Sequence, residues 1–411
     1  MPLAFKILIV PNSFKGTLTA AQAACAIQLG LGRAFTSRYL DYPVRFIQTP
    51  IADGGDGFAA VIVDATHGTW IRRRVTNALG TPILATFGLS PDRKTAVIEM
   101  ARATGLAHLH HLKPMHASSR GTGDLIRAAL DRGATRILLG IGGSASTDGG
   151  TGIARALGVR FLDHNDRDLP EGGAALLRLT RIDISGLHPR LAVTQRHQRA
   201  TIDVACDVQN PLFGPRGAAC IFAPQKGATP AMVRRLDRGL RHLAEIIERD
   251  IPSSFLPGEI GQMPGGGAAG GAGAGLVAFL GANLRQGFDL VAEAISLRNT
   301  MRGCNLVITG EGRLDSQTAH GKAPMGVLKM GLELGIPVVA ICGSVQPGNS
   351  VERLGFSRIY GVVGSRSGCV STTMPANRRE ASAQLVKCCR QIMQEWIAEG
   401  IFSGSGFRWS L

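Results

Sequence analysis

Ile137-Leu138-Leu139-Gly140-Ile141 runs without a break into Gly142-Gly143-Ser144-Ala145-Ser146-Thr147-Asp148-Gly149-Gly150-Thr151-Gly152. A short apolar run of this length reads as a buried strand, and the small, polar residues after it read as a turn that opens a helix. The same order recurs elsewhere: Ile7 to Val10 leads into Asn12 to Thr19, Leu306 to Thr309 into Gly310 to Lys322, and Val338 to Cys342 into Gly343. Thr19 stands where it can cap a helix from Ala20 to Leu31. Repeated βα units of this kind predict an α/β fold with a mainly parallel sheet. In such sheets ligands bind at the carboxyl ends of the strands, which is where all four turns fall.

Residues 70–100 depart from this pattern. Trp70 to Val75 and Pro82 to Phe87 are extended stretches around a turn at Asn77 to Thr81, and Ala96 to Met100 follows. The chain is expected to leave its first domain there. At 411 residues it exceeds the size at which a single core usually stops growing. The expected organisation is therefore two α/β domains. Residues 1–75 and 290–411 form the first, with the mainly parallel sheet, and residues 76–289 form a second domain inserted into it.

Composition excludes several classes. The net charge is +15, which raises nucleic-acid binding, but only Arg72 to Arg74 form a tight basic run and aromatic residues make up just 5%. Without a helix-turn-helix, RRM or zinc-finger pattern, a nucleic-acid-associated protein is a distant alternative. The eight cysteines form no CxxC pair and no zinc spacing, so they read as thiols in a reducing compartment. No apolar run approaches the roughly 18 residues of a membrane span. A cytoplasmic protein is expected, with no membrane and no nucleic acid among its partners; its oligomeric state is left open.

The turns carry a definite chemical inventory. Gly142 to Gly150 sets backbone amides and a helix start where they can face an anion. Its glycines could equally mark a place where backbones pack closely. Ala52-Asp53-Gly54-Gly55-Asp56-Gly57 offers two acids in a glycine turn, suited to magnesium or to substrate hydroxyls. Asp207 follows the apolar Val204 to Cys206 and precedes a turn, as either a chemical carboxylate or a local cap. Thr309 to Thr318 with Gly321-Lys322 is the densest group: Glu311 and Asp315, Arg313, Lys322 and several amide donors. Arg313 and Lys322 suit phosphate oxygens, and Asp315 is a candidate base. Ser13-Phe14-Lys15-Gly16 and Pro224-Gln225-Lys226-Gly227 each hold one lysine, solvated or functional. Donors, cations and carboxylates of this kind are what phosphoryl transfer asks of a protein.

Two other patterns lack their context. Gly265, Gly267 and Gly270 spell GxGxxG, but no strand precedes them, and an NAD-dependent oxidoreductase is disfavoured. There is no Walker P-loop, because Gly321-Lys322 is followed by Ala323 and the upstream glycine position holds Ser316.

Taken in order, these residues resemble the glycerate kinase family. The likeness runs from Ile7 to about Trp396 through Pro11 to Gly16, Ala52 to Gly57, Val97-Ile98-Glu99-Met100-Ala101, Gly142 to Gly150, Gly158 to Phe161, Ala205 to Pro211, Pro224 to Thr229, Ala268 to Gly271 and Thr309 to Lys322. The resemblance implies an ATP-dependent kinase that uses Mg2+ and phosphorylates a hydroxyl of D-glycerate. It implies 2-phospho-D-glycerate as the usual product, with 3-phospho-D-glycerate as the alternative. Residues and resemblance together nominate Asp315, Asp207, Lys322 and Arg313 as catalytic. For substrate and phosphate they nominate Ser13, Lys15, Asp53, Gly54, Gly55, Gly142, Gly143, Ser144, Gly310, Glu311 and Gln317. Asp148 and Asp207 are nominated for metal. The chain departs from the family's usual Asp at Asn12, Glu at Asp56, Thr at Ser146 and Asp at Gln209. Since these elements are far apart in sequence, one constellation is expected to draw on both domains.

Overall fold

The computed structural model describes residues 4–34, 43–55, 57–192, 199–253, 256–315, 322–346, 354–363, 375 and 377–401. The strands in chain order are β1 (Phe5–Pro11), β2 (Val44–Gln48), β3 (Thr69–Thr76), β4 (Pro82–Leu89), β5 (Thr95–Glu99), β6 (Arg136–Gly140) and β7 (Arg160–Leu162). They continue with β8 (Arg181–Asp183), β9 (Thr201–Ala205), β10 (Asn283–Arg285), β11 (Leu306–Gly310), β12 (Arg313–Leu314), β13 (Val338–Val345) and β14 (Arg358–Val363).

The chain divides into two units, residues 1–53 with 291–411, and residues 54–290. Among the described residues of the first unit the strands pair in parallel, with β13 joining β11, β12 and β14, and β1 lying between β11 and β2. Parallel strands buried on both faces read as unbroken apolar runs, and Ile7 to Val10 and Leu306 to Ile308 are fully buried. The helix Ala20–Ala34 covers this sheet. Its start is closed by a reciprocal pair: Gln22 N donates to Thr19 Oγ1 at 3.2 Å and Thr19 N to Gln22 Oε1 at 3.0 Å, the box that the sequence order T-x-x-Q allows. The helix Arg378–Ala398 packs beside it and buries Trp396, whose Nε1 donates to the Tyr360 hydroxyl at 2.7 Å.

The second unit holds a mixed sheet in the order β10-β9-β6-β5-β4-β3. β10, β9, β6 and β5 pair parallel with one another, whereas β4 pairs antiparallel with both β5 and β3. Here the expected boundary needs correction. The division falls after Asp53, not after residue 75, because β3 pairs with β4 along its whole length and the helix Phe58–Ala65 buries Phe58, Val61, Ile62 and Val63. The extended stretches near 70–100 are the antiparallel edge of the second sheet. Its large core joins Phe87, Ile98, Leu125, Leu139, Phe161 and Leu240.

The discarded GxGxxG run has a packing role. The segment from Gly267 into the helix Ala268–Leu280 lies so close to the turn after β6 that a Cβ on Gly270 would sit 2.1 Å from the Ser146 carbonyl oxygen. Only glycine admits that approach. Gly149 N donates to Gly270 O at 3.0 Å across the same contact.

Candidate functional site

Strand ends again position the chemistry. In the second unit β6 delivers Gly142 and Gly143, the exposed tip of a turn whose residues Ser144 to Gly150 are all buried. Gly143 adopts φ +69°, a region open mainly to glycine. The turn is tied to the chain after β5: Leu106 N donates to Gly143 O and Ala145 N to Thr104 O, both at 3.0 Å. Gly54 and Gly55 pack against it, since a Cβ on Gly142 would lie 3.4 Å from Gly55 Cα. Between these turns is a cavity of ≈ 90 Å³ lined by Gly54, Gly55, Gly57, Glu99, Ala101, Gly140 and Gly142.

Glu99 is the acid of that cavity and is absent from the residues nominated by sequence. Its Oε1 accepts from Ala59 N at 2.9 Å, and its Oε2 pairs with Arg102 Nε at 2.5 Å. Arg102 also donates to Thr86 Oγ1 at 2.9 Å and lies over the Trp70 ring, 4.3 Å from its centroid. The signal that singled out Asp207, an acid directly after a buried apolar strand, applies equally to Glu99. Asp207 itself follows β9, and its Oδ1 accepts from Gly287 N at 2.8 Å, which fixes the carboxylate at the strand end. Its other oxygen lies near Gly54, 3.7 Å from where a Cβ there would stand.

Asp148 behaves differently from expectation. It is fully buried, and its carboxylate accepts hydrogen bonds from Ser119 N and Oγ, both at 2.8 Å, from Gly150 N at 3.1 Å and from Gly152 N at 3.2 Å. Burial pushes its carboxyl above the ordinary carboxylate range, against the pull of those hydrogen bonds. A group closed in this way joins two helix starts and is not placed to take a metal ion. The same bonds correct a second expectation. The donors at the start of the helix Thr151–Ala156 are taken internally, by Asp148 and by Ser119 Oγ, which accepts from Ile153 N at 3.0 Å. Only the Gly142-Gly143 tip of this stretch remains exposed to an anion.

Lys226, which the sequence left as solvated or functional, is 2% exposed. Its Nζ donates to Ser144 Oγ at 3.0 Å and to the Ser146 carbonyl oxygen at 2.6 Å. Burial lowers its pKa to about 8, opposed by the charge of Asp148.

In the first unit, β1 delivers Asn12, Ser13 and Lys15. Asn12 Nδ2 donates to Asp53 Oδ2 at 3.1 Å and Ser13 N donates to Asn12 Oδ1 at 2.7 Å, so the amide at position 12 bridges the two turns. A carboxylate at position 12 could not donate to Asp53. Lys15 is exposed, and Gly312 passes so near that a Cβ there would lie 3.1 Å from Lys15 N. β11 ends at Gly310, where a Cβ would overlap the Ile341 carbonyl oxygen at 1.8 Å, and the buried Glu311 follows. Arg313 Nε and Lys322 Nζ converge on Asp315, at 3.8 Å from Oδ2 and 3.6 Å from Oδ1. Gln317 and Asp56 lie outside the described residues.

An exposed glycine tip beside an acid-lined cavity, and a second strand end where a carboxylate collects two cations, are the equipment of an enzyme acting on small anions. Comparison with known proteins gives the particular family. Residues 7–397 match the model of the glycerate kinase family. A glycerate kinase of Bacillus subtilis (strain 168) is 45% identical over 362 residues, 87% of this chain and 90% of that one. A glycerate 2-kinase of Escherichia coli (strain K12) is 44% identical, over 88% and 91% of the two chains. A crystal structure from Salmonella typhimurium LT2, described as a glycerate kinase 2, superposes with TM-score 0.81 at 39% identity, covering 97% of this chain and 98% of that one. The chain belongs to the glycerate kinase family and is thereby a kinase.

Proposed function

We propose that the protein transfers the γ-phosphoryl group of ATP to the C2 hydroxyl of D-glycerate, giving 2-phospho-D-glycerate and ADP in the cytoplasm. The hydroxyl oxygen attacks the γ-phosphorus, the bond from that phosphorus to the β–γ bridging oxygen breaks, and the hydroxyl proton passes to a carboxylate. The observation that carries this reading is the charge cluster after β11, where Arg313 and Lys322 gather at Asp315 within 3.8 Å. Two cations there suit the charge on the transferring phosphoryl group, and the carboxylate suits the proton. Asp315 is our candidate base. Gly142, Gly143, Gly54 and Gly55 supply backbone to nucleotide phosphates, with Ser144 behind them. Ser13, Lys15, Asp53, Gly310, Glu311 and Gln317 complete the substrate and phosphate set. The choice of the C2 hydroxyl is supported by the name of the Escherichia coli relative, glycerate 2-kinase.

Magnesium fits the donor set through Asp207. Among the described residues no group of three or more His, Cys, Asp or Glu is arranged to hold a metal ion. A magnesium ion that arrives on the nucleotide keeps phosphate and water ligands and needs only one or two carboxylates. Asp207, with Oδ1 held by Gly287 N, can supply one. When bound, the ion neutralises charge on the phosphate oxygens.

Phosphorus NMR of the product formed from D-glycerate and ATP tests this. A single 2-phosphoester is expected; a 3-phosphoester would move the chemistry to the other hydroxyl, and the absence of any phosphoester would refute the function.

A further inference from the structure

Among the described residues, Lys226 is a lysine sealed inside the second unit, 2% exposed, and no step above uses it. A lysine side chain keeps its charged end in water wherever it can. Here both hydrogen bonds go instead to the stretch that follows the Gly142-Gly143 tip: Ser144 Oγ at 3.0 Å and the Ser146 carbonyl at 2.6 Å. The same stretch carries two further buried polar atoms, Ser146 Oγ and Thr147 Oγ1, that have no hydrogen-bond partner. The turn is thus held by two opposite charges. Asp148 gathers the N–H groups of Gly150 and Gly152, and Lys226 gathers the hydroxyl of Ser144 and the carbonyl of Ser146, earlier in the same turn.

We propose that Lys226 is a positioning residue for the phosphate-binding turn: its ammonium draws the polar groups of Ser144 and Ser146 inward, so that the Gly142-Gly143 backbone is presented to the anion, and its charge favours that anion. The inference rests on the reading of this turn as the nucleotide-phosphate site. A fixed positive charge in a medium of low dielectric acts on a nearby anion far more strongly than one in water. Asp148 is the charged group that acts on Lys226, and the effect on the turn is that of a cation and an anion at opposite ends. Because burial brings the lysine's titration down to about 8, its charge is lost within an accessible range. The sign follows directly: the ammonium is present below that pH and neutral above it, so nucleotide affinity falls as pH rises through it. The terminal phosphate of ATP is already ionised there, with its second pKa at about 6 to 7, and contributes no change of its own.

The test is steady-state kinetics of Lys226→Met, which keeps an unbranched side chain one atom shorter and removes the charge, beside the wild type from pH 6.5 to about 9.5. The expected result is a KM for MgATP raised roughly tenfold or more with the KM for glycerate within about twofold, and a wild-type kcat/KM for MgATP that declines above about pH 8 while that of the variant stays flat. A variant whose melting temperature drops but whose KM for MgATP stays within about twofold would assign Lys226 to packing alone and overturn the proposal. If Lys226→Met does not fold, the wild-type profile decides: a kcat/KM for MgATP that stays level through pH 9 overturns it. Wild-type enzyme that forms phosphoglycerate while Gly143→Val binds MgATP normally would instead remove the site from this turn, and the Lys226 role with it.

Discussion

The turn at 141–152, with Lys226 packed against it, and the stretch at 310–322 both follow a buried strand, and each brings acid, cation and glycine together. Their polar groups meet different fates. In the first, Asp148 and Lys226 are buried and their hydrogen bonds are short and internal, at 2.6 to 3.2 Å. In the second, Arg313 and Lys322 stand 3.6 to 3.8 Å from Asp315, and the Arg313 side chain is 67% exposed. Charge that is buried and fully bonded sets a backbone shape. A cation as exposed as Arg313 can turn to a ligand at little cost, because exposed pairs contribute little to stability. On the proposed function, the same residue types serve architecture in one turn and chemistry in the other.

Removing Asp148 should have the largest effect and would break the comparison if it did not. Asp148→Ala leaves buried N–H and O–H donors unsatisfied and Lys226 without its countercharge, and a loss of about 3–5 kcal/mol is expected, seen as early chemical or thermal unfolding. A stable Asp148→Ala protein that lost only its magnesium dependence would return this residue to the metal site.

Gly143→Val sharpens the contrast at the exposed tip. The φ of +69° and the Ala101 Cβ only 3.3 Å from the new side chain oppose any β-branched residue there. Circular dichroism should still report a folded chain, with MgATP binding lost and activity down roughly 100-fold or more, because the proposed phosphate contact is made by backbone. Unchanged ATP affinity would mean that the tip does not meet phosphate.

Asp315→Asn and Asp207→Asn are expected to lose roughly 100-fold or more in kcat each, as removal of a general base or an ion-holding carboxylate should, with melting temperature close to wild type. Loss of activity in one and not in the other would show that only one unit supplies an essential carboxylate. The smallest effects belong to Arg313→Ala and Lys322→Ala. Turnover should slow by roughly 10-fold to 100-fold with little change in the KM for glycerate, since on the proposed function these cations act on charge that grows in the transition state. If both keep wild-type turnover, the cluster after β11 is solvated surface.

Much of this was legible before any coordinate. The strand-then-turn order around Ile137 to Gly152 and Leu306 to Lys322 set the α/β fold, because an apolar run long enough for one strand and a glycine directly after it leave little other choice. Thr19 gave the helix start, because a helix cap is a local contact between residues a few positions apart. Motif order gave the family. The boundary near residue 54 was not legible, since β3 belongs with β4 and β5 through pairings that no local pattern along Trp70 to Val75 records.

The roles of individual charges were decided by tertiary structure. Asp148 and Asp207 look alike in sequence, each a carboxylate in the turn that follows a buried strand. Burial separates them, because the partners of Asp148 at Ser119 come from a helix start 29 residues away. Lys226 and Lys15 each sit in a glycine turn, yet one is sealed against Ser144 and Ser146 and the other is in solvent. Sequence determines which groups exist and which strand end carries them, through local propensity and apolar periodicity. Whether a charge is desolvated, and therefore whether it shapes the backbone or meets the substrate, depends on residues distant in the chain and is settled only when the sheet is packed.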